Sequence, residues 1–394
     1  QAGATALGVS ALGTAAPESA LGAQRVAKPK QVPTLIAVYL RGGADFLGVL
    51  VPYKDRNLAS HRPTLAMPGP DSNSRDAVLP LDDTFGFNPN MKDLHSFYQK
   101  DMCVPVVCVG SPHATRSHFD AQDFMERGAP GLRAIDTGWL NRYLKETKTS
   151  KDANLRAVSL QSLLPRSLRG DYPVLAKPDQ KADQAIEVYS ELYMSKGMGG
   201  ATKSQNKGMQ TIAAIQEFGV RTIEQLRELN EILTKSPAPT ARYPNSGFAR
   251  QMRDIAKIIK ANRGMEVTAL DIGGWDHHIN EGPTDGELGR KLADVSGTLS
   301  AFFDDLGAMG SNVLVLVMSE FGRTVKENGN RGTDHGHGSF MLAVGGRLNG
   351  KKVYGKFDGL DEDHLYERRD TPVHTDFRMV FAESLKGMFG FDGK

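Results

Sequence analysis

The chain has 394 residues, 40% hydrophobic and 24% charged, an ordinary globular composition. Its 48 basic and 46 acidic residues leave a net charge of +2, and no basic run with interleaved aromatics points to nucleic acid. Two cysteines provide neither a disulfide framework nor zinc-finger spacing, and no stretch nears the ~18 apolar residues of a membrane helix.

Gln1 to Ala23 is almost wholly small or aliphatic, with Glu18 its one charged side chain. Residues 1–30 therefore read as a signal-peptide remnant or as a flexible arm packed on a neighbour. Residues 31–394 read as one α/β domain with a helical insertion at about 184–262. Leu35 to Leu40 is the first predicted core strand, and it breaks at Arg41-Gly42-Gly43-Ala44-Asp45. Arg62 to Asn90 is loop-like, and Met91 to Lys100 suits a helix. Val104 to Val109 is the second core strand. Cys103 and Cys108, five apart along it, should face opposite sides. Ser117 and His118 then stand at the start of a helix over Phe119 to Arg127, where free N–H groups favour an anion.

Helical patterns follow at Gly138 to Glu146, Gln184 to Met194, Lys207 to Lys235 and Asn245 to Ala261. A further strand is predicted at Leu155 to Leu160, and another at Glu266 to Leu270. The latter runs into Gly273-Gly274-Trp275-Asp276-His277-His278. Leu288, Leu292, Val295, Leu299, Phe302 and Leu306 stripe the next helix, with Thr284 and Glu287 as a capping box. Val313 to Met318 is continuously apolar, the pattern of a strand covered on both faces. It ends in Ser319-Glu320-Phe321-Gly322-Arg323-Thr324, and a polar loop carries Asp334, His335 and His337 into a last strand at Phe340 to Val344. His374 to Phe389 closes the chain as a helix. Strands alternating with helices predict a doubly wound, mainly parallel sheet.

Six of the ten histidines, with several acids, collect after predicted strands. In an open α/β sheet that rim is where ligands bind. Imidazoles mixed with carboxylates suit a divalent metal, zinc or manganese, with magnesium or calcium as alternatives. Each residue also has a plainer reading. Asp45 could be a turn former, and His277-His278 could be one core and one surface histidine.

Five phrases in order resemble the bacterial domain-of-unknown-function family 1501. They are Leu40-Arg41-Gly42-Gly43-Ala44-Asp45, Arg116 to Gln122, Gly273 to His278, Ser319 to Thr324 and Gly332 to Gly338. The resemblance spans about Leu35 to Phe381. It implies an alkaline phosphatase and sulfatase superfamily fold, twin-arginine export, and hydrolysis of phosphate or sulfate esters in the periplasm or at the cell surface. Laid on residue by residue, it makes Asp45, Asp276, His278, Asp334, His335 and His337 metal ligands. Glu320 is a ligand or an outer partner of a histidine. Ser117 becomes the nucleophile with Thr115 in reserve, His118 a catalytic neighbour, and Arg116 or Arg323 the clamp on the anion. Ser319-Glu320 stands where the superfamily has Asp-His, so a two-metal site is in question. Val107 stands where a sulfatase's Cys-x-Pro-x-Arg nucleophile, begun at Cys103, would need arginine. The implied substrate is a small or polymer-linked anionic ester. The rival reading is a non-catalytic envelope or assembly protein, homo-oligomeric or docked by its N-terminal arm.

Overall fold

The computed structural model describes residues 31–147, 155–161, 163–176, 207–346, 348 and 350–393. The N-terminal stretch and the helix predicted at Gln184 to Met194 lie outside them. The main sheet has six strands: β1 (Thr34–Leu40), β2 (Cys103–Gly110), β3 (Val267–Ile272), β4 (Val313–Met318), β5 (Ser339–Gly345) and β6 (Thr375–Asp376). Their order across the sheet is β6-β2-β5-β4-β1-β3. Only β5 is antiparallel, pairing that way with both β2 and β4. The remaining pairs, β1 with β3, β1 with β4 and β6 with β2, are parallel. The fold is thus α/β, with a doubly wound, mainly parallel sheet.

Burial on both faces explains the apolar strands. In β1 and β4 every residue is buried. Ile36, Val38, Val315 and Val317 join one core, while Leu35, Ala37, Leu314 and Leu316 join the other. Side chains alternate across a strand, so these cores are the two faces of the sheet. The first core is covered by α1 (Lys92–Gln99), and the second takes Met125 from α2 (His118–Arg127) and the apolar side of α3 (Trp139–Glu146). The first is also covered by α4 (Lys207–Lys235), α5 (Gly247–Ala261) and α6 (Glu287–Leu306). The second is closed by α7 (Phe377–Phe389), where Phe381 stacks on Trp139 with ring centroids 4.1 Å apart. Among the described residues no helix is long and apolar enough to cross a membrane.

Three local expectations are corrected. Cys103 and Cys108 enter the same core. The β2–β5 register slips between Val109 and Val107, and Cys108 takes a left-handed φ of 49°. That one-residue bulge reverses the alternation between the two cysteines. Helix α6 is not closed by a capping box: its N-cap is Gly286, without a side-chain cap bond. The segment Leu155 to Leu160 yields only a two-residue strand, Val158–Ser159, paired with Leu175–Ala176.

Because β5 runs backwards, its amino end lies at the rim that holds the carboxyl ends of β1 to β4. The loops leaving β1, β2, β3 and β4 therefore meet the segment entering β5.

Candidate metal centre

At that rim His118, Asp276 and His335 bring one ligand atom each within 4.8 Å of one another. His118 is the first residue of α2. Asp276 lies in the loop that follows β3, and His335 precedes β5. His278 borders the group: its Nε2 lies 2.9 Å from Asp276 Oδ1 and 3.1 Å from His335 Nε2. His335 Nε2 is 3.2 Å from the same Asp276 oxygen, and His118 Nε2 is 3.4 Å from the other.

The opposite ring nitrogens are all taken by acceptors. His118 Nδ1 donates to Glu320 Oε1 at 2.8 Å, His278 Nδ1 to Asp334 Oδ1 at 3.0 Å, and His335 Nδ1 to the Arg116 carbonyl at 2.9 Å. A carbonyl or carboxylate can only accept, so each Nδ1 carries a proton, and in its neutral form each ring turns an Nε2 lone pair inward. Three lone pairs and a carboxylate then face one another. His118 Nε2 is buried without a hydrogen-bond partner. In that form the His278 and His335 Nε2 atoms, 3.1 Å apart, repel unless a cation or proton lies between them. The donor set and the outer acceptors fit a divalent metal, since ligating histidines are typically held this way from behind.

The electrostatics agree. Burial alone would raise the Asp276 carboxyl, but the Arg323 guanidinium outweighs it, helped by His278 and His118, and holds it down at about 2. The hydrogen bond to Glu320 raises His118, while burial lowers His335. Burial also opposes ionisation of Glu320, yet hydrogen bonds from His118 and Gln122 keep its pKa below the usual range.

Arg323 organises the rim without touching solvent. Its side chain is fully buried. It donates to the carbonyls of Gly42, Gly43, Thr333 and Trp275 and to Asp276 Oδ1. It therefore cannot clamp a substrate anion, as the sequence suggested. Gly42 lets the backbones close in, since a Cβ there would lie 2.6 Å from the Asp276 nitrogen. Arg116 is likewise engaged, with Asp370 at 2.6 Å and Glu367 at 2.7 Å.

Other expected ligands stand apart from the inward-facing atoms. Asp45 is buried and gripped by Arg62 through two hydrogen bonds, at 2.5 and 2.8 Å. Burial opposes its charge, but Arg62 holds its pKa low. Beside it Glu281 is buried with its pKa raised, by burial and then by the Asp45 charge. His337 packs on the Tyr366 ring at 4.3 Å and is not in the group. Glu320 and Asp334 sit one bond outside it, orienting His118 and His278. His118, expected beside the chemistry, lies among the ligand atoms instead. His277 is buried while its neighbour His278 faces the site. Ser117 is the exposed N-cap of α2, its hydroxyl making no cap bond.

Sequence reading missed Gln122, Arg62 and Glu281. Gln122 donates to Glu320 at 2.8 Å. Its signal was present: it lies four residues after His118, on the same helix face. Arg62 and Glu281 lie in irregular segments without periodicity to mark them.

The sequence matches the family described as "Protein of unknown function (DUF1501)" over residues 106–394. The chain belongs to that family. His118, Asp276, His278, Glu320, Arg323, Asp334 and His335 fall inside the family segment, whereas Asp45 and Arg62 precede it. No curated protein matches the chain. Among solved structures it is similar to the C-terminal periplasmic domain of EcEptC from Escherichia coli in complex with zinc. Identity there is 11%, with 83% of this chain and 76% of that one covered, at a TM-score of 0.34. It is also similar to TAB5 alkaline phosphatase, a His 135 Glu mutant with magnesium bound, at 12% identity, 91% and 98% coverage and a TM-score of 0.33. These likenesses are loose, and the reading below stands on this chain's own residues.

Proposed function

We propose that this protein is an exported, metal-dependent hydrolase of phosphate or sulfate esters. One observation carries the reading: His118, His278 and His335 turn their Nε2 atoms toward Asp276, each ring fixed from behind through Nδ1. His118, Asp276 and His335 would hold the cation, with His278 as fourth donor. Imidazole and carboxylate donors favour zinc or manganese. A divalent cation there supplies Lewis-acid polarisation of the ester group.

The chain's own groups do the rest. Glu320 and Asp334 keep His118 and His278 in the ligating tautomer. Ser117 precedes His118 directly in the chain, is exposed and is free of cap bonds, so its hydroxyl is the nucleophile this reading assigns. The unpaired N–H groups of the first turn of α2 favour the anionic ester beside it. Export is supported by the small and aliphatic composition of Gln1 to Ala23.

One observation favours a second reading, a non-catalytic envelope or assembly protein on this fold. Both arginines expected to clamp the ester, Arg116 and Arg323, are engaged with internal partners. Elemental analysis of wild type and His335→Ala, beside phosphomonoester, phosphodiester and sulfate-ester assays, separates the two. The hydrolase reading expects bound metal that falls in the variant, and turnover that Ser117→Ala abolishes while metal stays. Equal metal content in wild type and His335→Ala would end it.

A further inference from the structure

Among the described residues six large hydrophobic side chains are exposed, and two of them directly follow histidines of the metal centre. Phe119, 89% exposed, comes after His118, and Ile279, 64% exposed, comes after His278. Apolar side chains scattered singly over a surface need no explanation, but these two border one group. His118 Nε2 faces one oxygen of Asp276 at 3.4 Å, and His278 Nε2 faces the other at 2.9 Å. Phe119 on α2 and Ile279 on the loop after β3 therefore flank the same carboxylate.

Neither side chain is exposed for want of a fixed backbone. Helix α2 buries Ala121, Phe124 and Met125. At about 100° per residue, Phe119 falls on the opposite side of the helix. The loop at Ile279 is tied down on both sides. The Asn328 side chain donates to the His278 carbonyl at 2.9 Å, and the Asn280 N–H donates to the Asn330 carbonyl at 2.9 Å. Both side chains are thus held out in water, where covering them is favourable. The apolar character continues inward: buried Phe321 lies 4.9 Å from the His118 ring and 5.0 Å from the His335 ring, centroid to centroid. Arg116 and Arg323, the arginines that border the centre, are engaged with internal partners.

We propose that Phe119 and Ile279 form an apolar rim that receives the organic part of the substrate, so that the ester taken at the metal centre carries an uncharged aryl or alkyl group. The assignment rests on the metal-dependent ester reading above and adds two specificity-determining residues outside the ligand set.

The test measures direct binding of n-alkylphosphonates, from methyl to hexyl, and of phenylphosphonate to metal-loaded full-length protein. Wild type should bind about two- to fourfold tighter for each methylene over the first few carbons, and phenylphosphonate tighter than methylphosphonate. Phe119→Ser/Ile279→Ser should flatten that dependence at wild-type metal content, and Phe119→Leu should keep most of it. Equal affinity along the series in wild type overturns the proposal, and so does a dependence on length that survives in the double serine variant. A wild type without length dependence that self-associates, and that Phe119→Ser turns into monomers, assigns these side chains to a contact between copies and also overturns it. The two readings fail differently. A protein that takes up no metal yet binds hexylphosphonate above methylphosphonate, and loses that preference in the double variant, removes the hydrolase reading and keeps the apolar rim. A metal-loaded, active protein indifferent to chain length removes the rim alone.

Discussion

Two clusters of ionisable groups lie at the same rim and answer the same problem in opposite ways. In the inner one, Asp45 is neutralised by Arg62 through a two-pronged contact, and burial with the Asp45 charge raises the Glu281 pKa beside them. In the outer one, Asp276 faces imidazole lone pairs, and its arginine, Arg323, approaches from beneath and bonds chiefly to backbone carbonyls. The inner carboxylate already has a built-in cation. The outer group has more inward-facing acceptors than donors, and its geometry calls for one from solution.

The contrast can be broken at either end, and the largest effect belongs to the inner cluster. Arg62→Met leaves a buried carboxylate uncompensated and should cost about 3–5 kcal/mol of stability, read from the shift in denaturant midpoint, while metal content per folded chain stays as in wild type. If that variant instead lost its metal, Asp45 and Arg62 would have to be counted in the metal centre.

A smaller effect is expected from Glu320→Gln at the outer cluster. The amide no longer fixes the His118 tautomer or carries the balancing charge, so metal affinity should fall about 10- to 100-fold, measured by competition with a chelator. Unchanged affinity would mean that His118 is not a ligand.

The smallest effect tests the protonated acid. Glu281 has a raised folded-state pKa, so the native state binds more protons than the unfolded state above its ordinary value of 4.5. Its contribution is present in full below that value and declines as pH rises through the folded pKa. Asp45 has the opposite sign: depressed by Arg62, its contribution holds above its ordinary 3.8 and is lost as pH falls. Glu281→Gln keeps a neutral hydrogen-bonding group. It should flatten the alkaline-side decline in unfolding free energy and leave the acid-side loss in place. A pH profile identical to wild type would show that Glu281 is ionised in the fold.

Much of this was legible in the sequence, because strand patterns and strand-end chemistry are local. The apolar run Val313 to Met318 announced a strand buried on both faces, and the polar residues after each such run marked the rim. Asp276, His278 and His335 were placed at that rim in this way, and their side chains do meet there. The separation of ligands from their supports was not legible. Nothing in Asp334-His335-Gly336-His337 says that His335 turns to the metal centre, that Asp334 stands behind His278 and that His337 leaves for Tyr366. Those roles depend on which loop crosses which. Arg62 was invisible for a stronger reason: its partner lies across a turn, and its remaining acceptors are the carbonyls of Thr324 and Val325, more than 260 residues along the chain. The bulge at Cys108 was hidden because periodicity assumes an unbroken ladder.

The single head group of Arg323 joins loops that leave β1, β3 and β4 to the segment entering β5. None of those loops has its final shape until all four strands are docked. On the metal-binding reading proposed above, cation uptake is a late step in folding, and escape of the cation on gentle heating would be among the first signs that the sheet is coming apart.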